Sequence, residues 1–260
     1  MRHLAASVML IATAAVLSGC FLDTDVATDV TQTSARLNAF GRTGDAPGWF
    51  HFQYARRERR LGTAKGRVTP ERGPIPPETP PGGRSAEVSE TVTGLLPGRV
   101  YVFRVCGRQG AMTVSVCAPI RSFFTRPSNR QDWVSGAFQD SFLLSFLRFD
   151  AAVSRFGRHA DGLLFDLIDR AQDFEGRVTC LRLDGGRATI GAVGAYDADT
   201  FDSEPPVPAT ELITVVDDSA GDVVRRVARA DGTARPDCGA GTFTGPALPL
   251  QGSATVHDAP

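Results

Sequence analysis

Apolar side chains recur at every second position through most of the chain, and this period of two constrains the fold more than any other feature. The segments Trp49–Tyr54, Val100–Cys106 and Phe174–Leu183 alternate in this way. Because successive side chains of a strand point to opposite faces, each segment predicts a strand with one buried face. The 27 glycines and 17 prolines supply turns between such strands. The sequence therefore predicts an all-β fold built from antiparallel sheets.

The alternation is interrupted at Pro127-Ser128-Asn129, and a new apolar series begins at Trp133. We therefore predict two domains, residues 28–127 and residues 128–260. The first fits a β-sandwich of short strands with Gly and Pro turns. The second contains the hairpin signal Asp184-Gly185-Gly186 and predicts a second antiparallel β-sandwich or barrel of roughly seven to nine strands. Its segment Leu163–Ile168 fits a strand or a helix, and its flanks favour a short strand.

The first 20 residues have the pattern of an export signal. Met1-Arg2-His3 is a short positive segment, and Leu4–Val16 is apolar but too short for a stable membrane span. Leu17-Ser18-Gly19-Cys20 follows and resembles the lipobox of bacterial lipoproteins. The resemblance implies removal of residues 1–19 and lipidation of Cys20, with residues 20–27 as a lipidated tether. The alternative is an ordinary secretory signal with a chance cysteine.

Lipidation would decide where the protein works. Two or three acyl chains hold a protein at a membrane, at about 0.8 kcal/mol per buried methylene, so we predict a lipid-anchored protein that faces outward. Phe21 stands where Asp would signal inner-membrane retention in bacteria with two membranes. The resemblance therefore implies the outer membrane if the host has two. No later apolar run approaches the roughly 20 residues of a membrane helix.

Four cysteines remain besides Cys20, namely Cys106, Cys117, Cys180 and Cys238. An even number in an exported chain predicts disulfides, and four cysteines allow three connectivities. Cys106 and Cys117 lie in neighbouring strand-like segments, so cross-strand pairing is the simplest choice and leaves Cys180 with Cys238. Chain entropy predicts about 2.7 kcal/mol from the first bridge and about 4 kcal/mol from the second. A metal site, the alternative, would need the CxxC spacing or histidine cluster that the sequence lacks.

The segment Leu95–Tyr101 carries a more specific pattern, L-x-P-G-x-x-Y, formed by Leu95, Pro97, Gly98 and Tyr101. It resembles the corner of fibronectin type III domains, in which the tyrosine hydroxyl ties back the chain that precedes it. The sequence departs from that family in lacking the usual strand-B tryptophan and in a long insertion after Ala55. The resemblance implies a spacer, adhesion or recognition unit, although a fold alone does not assign a function.

The second domain resembles a β-rich domain that recurs in secreted and surface proteins of bacteria, and no activity follows from that resemblance. It rests on short segments at Val178–Leu181, Ala188–Gly191, Thr214–Asp218, Asp237-Cys238 and Val256–Asp258.

The insertion after Ala55 begins with a basic cluster, Arg56, Arg57, Arg59 and Arg60, and continues into a proline-rich stretch. One interpretation is a basic prong that contacts anionic lipid headgroups or wall polymers, stiffened by polyproline. The alternative, which we favour, is a solvated surface loop.

The composition and the absence of known motifs argue against most catalytic and nucleic-acid-binding functions. The net charge of −1 gives no overall field that would attract nucleic acid. The sequence contains no G-x-S-x-G, H-E-x-x-H, P-loop or dinucleotide fingerprint. Acidic turns at residues 197–204 and 217–222 offer oxygen ligands for Ca²⁺, but neither matches an EF-hand. We predict no metal, no cofactor and no catalytic residue.

The sequence thus predicts a non-enzymatic lipoprotein of the cell envelope that acts as a binding or spacer module, with an envelope glycan or protein as its partner. The alternative is an envelope-associated carbohydrate-active or wall-processing hydrolase. Exposed aromatic platforms would favour binding, whereas a deep pocket with two facing carboxylates would favour catalysis.

Overall fold

The computed structural model describes residues 21–43, 46–76, 86–139, 146–153, 159–167, 172–198, 207–217, 221–232, 234–239, 248 and 250–259. The predicted leader and Cys20 lie outside these ranges. The described part is made almost wholly of antiparallel strands, which confirms the predicted all-β class. No helix within it is long and apolar enough to cross a membrane.

The first domain is a sandwich of two antiparallel sheets. Its strands are Phe21–Thr24 (β1), Ser34–Arg42 (β2), Gly48–Ala55 (β3), Arg67–Val68 (β4), Arg72–Ile75 (β5), Ala86–Thr93 (β6), Val100–Gln109 (β7), Val116–Cys117 (β8) and Arg121–Phe124 (β9). One sheet has the order β1-β2-β6. The other has the order β4-β3-β7-β8, with β5 also paired to β3 and β9 to β7.

The core of this sandwich consists of the alternating residues that the sequence placed on one face. Phe52 of β3 and Phe103 of β7 are fully buried. The rings of Tyr101 and Phe123 stack with their centroids 5.6 Å apart. The facing sheet contributes smaller side chains, Ala35, Leu37, Ala39, Val88 and Val92. Burial of each large side chain contributes roughly 1.5–3 kcal/mol, so this cluster is a major source of the stability of the domain.

Residues 21–24, predicted as part of a tether, are instead the edge strand β1. Phe21 pairs with Arg42 and Thr24 with Ala39. Leu22 is buried in the sandwich core, and the Thr24 hydroxyl accepts a hydrogen bond from the Val105 N–H at 3.3 Å. Four residues are too few for a period-two pattern to stand out, which is why the sequence did not indicate this strand.

The corner motif closes the end of the sandwich where β6 leads into β7. Leu95 and Tyr101 are buried, and the Tyr101 hydroxyl accepts a hydrogen bond from the Leu96 N–H at 2.9 Å. Gly98 adopts a φ of +59°, which other residues adopt only with strain. Pro97, half-buried between them, restricts the backbone of the turn.

We expect Tyr101→Phe to lower the free energy of unfolding by about 1 kcal/mol, because the Leu96 N–H loses its acceptor in a partly buried corner. Urea unfolding measures the difference. Tyr54→Phe is the matched control, since Tyr54 is a buried tyrosine of the same core that lies outside the corner. Equal effects of the two substitutions would contradict a specific role for the corner hydrogen bond.

The described residues of the second domain form one eight-stranded sheet in which consecutive strands from β10 to β16 are neighbours. Its strands are Trp133–Gln139 (β10), Phe146–Val153 (β11), Ala160–Leu167 (β12), Gln172–Asp184 (β13), Arg187–Ala198 (β14), Val207–Val216 (β15), Val223–Asp231 (β16) and Gln251–His257 (β17). The order is β16-β15-β14-β13-β12-β11-β10-β17, so the last strand returns to pair with the first. The ambiguous segment at 163–168 belongs to strand β12 as far as Leu167, and Gly185 and Gly186 form the hairpin turn.

This sheet curls into a half-barrel around one apolar core. A single cluster joins Phe138 and Phe149 near one edge of the sheet to Ile213 and Val224 near the other. The Leu248 N–H donates to the Val224 carbonyl at 3.0 Å, so Leu248 lies beside β16. Curling lets one layer of strands bury an apolar face that a flat sheet would leave in water.

Both disulfides join the cysteines that the sequence paired. Cys106 and Cys117 are cross-strand neighbours of β7 and β8. Cys180 on β13 is bonded to Cys238, which lies 58 residues further along the chain. Disulfides are typical of proteins that work outside the cytoplasm.

Candidate functional site: a cleft between the two domains

The two domains pack against each other through the outer faces of their sheets. Tyr101 and Phe123 point into the sandwich core, so their neighbours Val100 and Val102 point the other way. Val100 and Val102 are nevertheless buried, at 2% and 9% exposure. In the second domain, Leu163 points away from the half-barrel core and is buried as well. The outer faces of β7 and β12 therefore form an interdomain contact.

A buried carboxylate, that of Asp161, fixes this contact. Arg177 donates to Oδ1 of Asp161 from Nη2 at 2.8 Å and from Nε at 3.1 Å. Oδ2 lies 3.7 Å from Nη2 of Arg56 and accepts from the Val100 N–H at 3.4 Å. The Asp161 side chain is 7% exposed, whereas the two arginine side chains are about 40% exposed. One acidic side chain of the second domain thus bonds to the first domain at two points.

The basic cluster is not the uniformly solvated loop that we favoured from the sequence. Arg56 is half-buried at the interface, and its backbone carbonyl accepts a hydrogen bond from Nη1 of Arg177 at 3.3 Å. Arg57 and Arg59 are exposed, while Arg60 is half-buried at the end of a 3-10 turn. Arg56 differs from that expectation because its guanidinium lies 3.7 Å from Asp161 Oδ2, and a buried carboxylate favours a second cation beside it.

The linker between the domains is itself anchored. Gln131 is buried, accepts from the Ser128 N–H at 3.0 Å and donates to the Val153 carbonyl at 3.3 Å. A Cβ atom at Gly98 would come within 2.9 Å of Gln131 and 3.2 Å of Ala152. The corner motif of the first domain therefore also forms part of the contact with the second.

On one side of this contact lies a mouth of about 670 Å³, which we call the aromatic mouth. Three half-buried aromatic side chains line it, Phe124 from the first domain and Trp133 and Phe165 from the second. The Trp133 ring stacks on His257, with centroids 5.4 Å apart. Polar groups of Ser135, Asp150 and Arg148 complete the lining. Aromatic walls with a few fixed polar groups are the usual chemistry of a ligand site.

The Asp150 carboxyl is held by two neighbouring side chains of the aromatic mouth. The Ser135 hydroxyl donates to it at 2.6 Å, and Nε of Arg148 lies 3.5 Å away. Burial raises the pKa of Asp150, and this effect outweighs the lowering by Ser135 and Arg148. The folded protein therefore holds the Asp150 proton more tightly than the unfolded chain does.

This shift makes a prediction about pH. A raised folded-state pKa contributes stability that is fully present below the unfolded value, about 3.9 for Asp, and that is lost as pH rises through the folded pKa. We therefore expect Asp150→Asn to be more stable than the wild type at pH 7, with the advantage shrinking as pH falls towards about 4. Urea unfolding of both proteins across this range measures it. A difference that is constant with pH, or of opposite sign, would contradict the assignment.

On the other side of the contact lies a larger mouth of about 870 Å³, which we call the charged mouth. Glu58, Glu175, Arg121 and Arg148 line it together with apolar groups of both domains. Burial raises the pKa of Glu175, and Arg121 partly offsets the rise. The two mouths share Ser122, Arg148, Leu163 and Phe165, so together they form one interdomain cleft.

Asp166 also borders the charged mouth, but its side chain lies on the opposite face of the sheet. Asp166 pairs with Phe174, whereas Glu175 pairs with Phe165. Directly paired residues point to the same face, and Phe174 lies in the half-barrel core. Asp166 and Glu175 therefore do not face each other across the charged mouth, and the outward-facing carboxylates that line this mouth are those of Glu58 and Glu175.

The acidic turns considered for calcium have a different role where the structure describes them. Asp217 accepts a hydrogen bond from the Val256 N–H at 3.0 Å, and Asp222 accepts from the Ala254 N–H at 2.6 Å. Both side chains thus hold β17 in place. Asp199, Asp202, Glu204 and Asp218 lie outside the described residues. Among those described, no three His, Cys, Asp or Glu side chains are grouped so as to hold a metal ion.

The cleft residues were not singled out from the sequence, yet two signals mark them. In Val100-Tyr101-Val102-Phe103 and Leu163-Leu164-Phe165 the intervening positions are apolar as well, so each stretch is a continuous apolar run. A strand with an unbroken apolar run is buried on both faces. The runs therefore indicate strands covered on both sides, although not by what.

Comparison with known proteins gives the chain no family. No protein-family model matches it, and neither does any curated protein. Two solved structures align with part of it, the short and long forms of the sensor domain of the anti-sigma factor RsgI4 from Pseudobacteroides cellulosolvens. The short form has a TM-score of 0.32 at 16% identity and aligns with 43% of this chain and 99% of its own. The long form has a TM-score of 0.30 at 17% identity and aligns with 42% and 92%. Likenesses this low carry no argument about fold or function.

Proposed function

We propose that this chain is a lipid-anchored binding module of the bacterial cell envelope, and that the interdomain cleft binds an envelope glycan. The observation that carries the proposal is the aromatic mouth, where Phe124, Trp133 and Phe165 surround hydrogen-bonding groups. A sugar ring presents C–H groups on its faces and hydroxyls at its edge. Aromatic rings pack on the C–H faces, while the carboxyl of Asp150 and the guanidinium of Arg148 bind the hydroxyls.

The proposed location at the outer face of a membrane is supported by the sequence of the leader and by the disulfides. The leader pattern and Leu17-Ser18-Gly19-Cys20 support lipidation of Cys20. The two disulfides support a compartment outside the cytoplasm. Labelled palmitate should be incorporated by the wild type in its native host and not by Cys20→Ala. Labelling that persists in Cys20→Ala would overturn the anchor.

To test binding at the cleft, the acylated protein is purified in detergent, and its affinity for soluble oligosaccharides released from the host envelope is measured. We expect Trp133→Ala to weaken binding at least about tenfold, which corresponds to 1.4 kcal/mol, because it removes one aromatic wall. Trp49→Ala is the matched control. Trp49 lies in the first domain under the guanidinium of Arg108, 4.5 Å from its ring centroid, and does not line the cleft.

Three results would overturn the binding proposal. Wild-type protein that retains no envelope oligosaccharide would do so, and so would equal binding by the wild type and Trp133→Ala. The third is catalysis, since Glu58 and Glu175 line the charged mouth and a hydrolase would use a pair of carboxylates. Release of reducing ends that disappears in Glu175→Gln would replace binding by hydrolysis.

A further inference from the structure

The first strand leaves no room for a tether between the anchor and the folded domain. β1 begins at Phe21, which pairs with Arg42 at the end of β2. Cys20 directly precedes Phe21 in the sequence, and consecutive Cα atoms of a chain are about 3.8 Å apart. Given the lipidation proposed above, on which this inference rests, the domain must lie against the membrane with one end.

The structure shows which parts of the first domain lie at that end, which we call the anchor end. Leu22 lies beside Gly107 near the end of β7, within 2.9 Å of the position of a Cβ there. The chain after β7 stays at the anchor end, because the Gly110 N–H donates to the Pro47 carbonyl at 2.9 Å. The segment of residues 110–116, a loop followed by the first residue of β8, therefore projects from the same end as the start of β1. We call this segment the tip.

The tip displays apolar side chains to solvent. Met112, Val114 and Val116 are 54%, 70% and 56% exposed. Single exposed apolar residues are common on protein surfaces and need no explanation. Here three alternate within one short segment, and the Cys106–Cys117 disulfide closes its base. The bridge ties the end of the tip to β7.

We propose that the tip inserts into the lipid surface beside the acylated Cys20. The aliphatic side chains leave water there, as in other proteins that combine a lipid anchor with an apolar contact. Contact at two points, the acyl chains and the tip, holds the first domain upright. The ten residues of β7 span about 30 Å at 3.3 Å per residue. Val100, at the end of β7 opposite the tip, belongs to the interdomain contact. The cleft therefore lies about 30 Å above the membrane, the length of β7.

The same geometry places the basic cluster away from the membrane. Ala55, at the end of β3, pairs with Val102, so Arg56 and the residues after it follow the end of the domain that contacts the second domain. In the proposed orientation the basic cluster therefore points away from the lipid headgroups next to the anchor, and the contact of Arg56, Arg57, Arg59 and Arg60 with an anionic surface stays a separate prediction from the sequence.

The sequence supplies a probe for the test. Two of the three methionines, Met1 and Met9, lie in the predicted leader, and the third is Met112. Acylated protein labelled with ¹³C-methyl methionine should therefore give one methyl signal, from the tip. The matched control is Leu96→Met, which adds a second signal at a side chain that is 51% exposed in the corner at the opposite end of β7.

The measurement is NMR line broadening in nanodiscs of phosphatidylethanolamine and phosphatidylglycerol. Spin-labelled acyl chains should remove most of the Met112 signal and spare the second signal of the Leu96→Met variant, while a water-soluble gadolinium chelate should do the reverse. Acylated protein whose Met112 signal is broadened by the chelate and spared by the lipid label would overturn the tip alone. A mass spectrum without acyl groups on Cys20 would overturn the anchor and the tip together.

Discussion

Arg177→Met should lower the free energy of unfolding by about 3 kcal/mol at neutral pH, more than Asp161→Asn does. The asymmetry follows from exposure, since the Asp161 side chain is 7% exposed and that of Arg177 is 40% exposed. Loss of Arg177 leaves a buried carboxylate with the more distant Arg56 as its cationic partner, at 3.7 Å. Loss of the Asp161 charge leaves arginines that water already reaches, and we expect a cost of about 1 kcal/mol.

A double-mutant cycle checks this interpretation of the interface. Addition of Asp161→Asn to Arg177→Met should recover part of the stability lost in the single variant, because the uncompensated buried charge is gone. Urea unfolding followed by tryptophan fluorescence reports on both domains, since Trp49 lies in the first and Trp133 in the second. Equal, additive effects of the two substitutions would contradict a shared, buried interaction.

Replacement of Cys180 and Cys238 by serine should cost about 4 kcal/mol. The bridge closes a segment of 58 residues, whose unfolded states it restricts. It also places residues before Cys238 over the sheet, where Pro236 lies 2.9 Å from the Cβ position of Gly191. Release of this segment would uncover the outer face of β14 and β15, where Leu212 and Thr214 are buried.

Replacement of Cys106 and Cys117 by serine gives a second loss of stability with which the first can be compared. This bridge closes a separation of only 11 residues, so we expect a smaller cost of about 2.7 kcal/mol. Chemical denaturation of both double-serine variants in the same buffer gives the ratio. A larger loss at the shorter loop would show that chain entropy does not determine the ranking.

Much of the fold was predictable because one physical rule governs it. Alternation at Phe50, Phe52 and Tyr54 correctly indicated the face that packs in the sandwich core. The turn at Gly185 and Gly186 correctly indicated the longest hairpin, since both adopt the positive φ that glycine allows. These features are local, so each can be recognised in the sequence without knowing which segment packs against it.

The cleft was not predictable because it depends on contacts between residues far apart in sequence. In the sequence, nothing distinguishes Asp161 from the other acidic residues, and Arg56 is one member of a basic run. Only the packing of β12 against β7 makes Asp161 a buried carboxylate between two arginines. The pattern of the sequence shows that a strand face is covered, whereas the identity of the covering surface is a property of the tertiary structure.

The edge strand β1 shows a second limit. Phe21–Thr24 is too short to reveal a period, and its proximity to a lipidation motif favoured a tether. Its burial comes from Leu22, which fits against Gly107 and Gly41. Glycines in those neighbouring strands leave the space, a complementarity that no single segment displays.

The central claim is that the cleft between the domains binds an envelope glycan, and hydrogen exchange tests it most directly. Acylated protein is incubated with and without oligosaccharides from its host envelope, and amide exchange is followed by mass spectrometry. We predict that protection increases in β9 to β12, whose residues line the aromatic mouth, and stays unchanged in β5 and β6 on the far side of the first domain. Protection elsewhere, or an unchanged exchange pattern at saturating oligosaccharide, would contradict the claim.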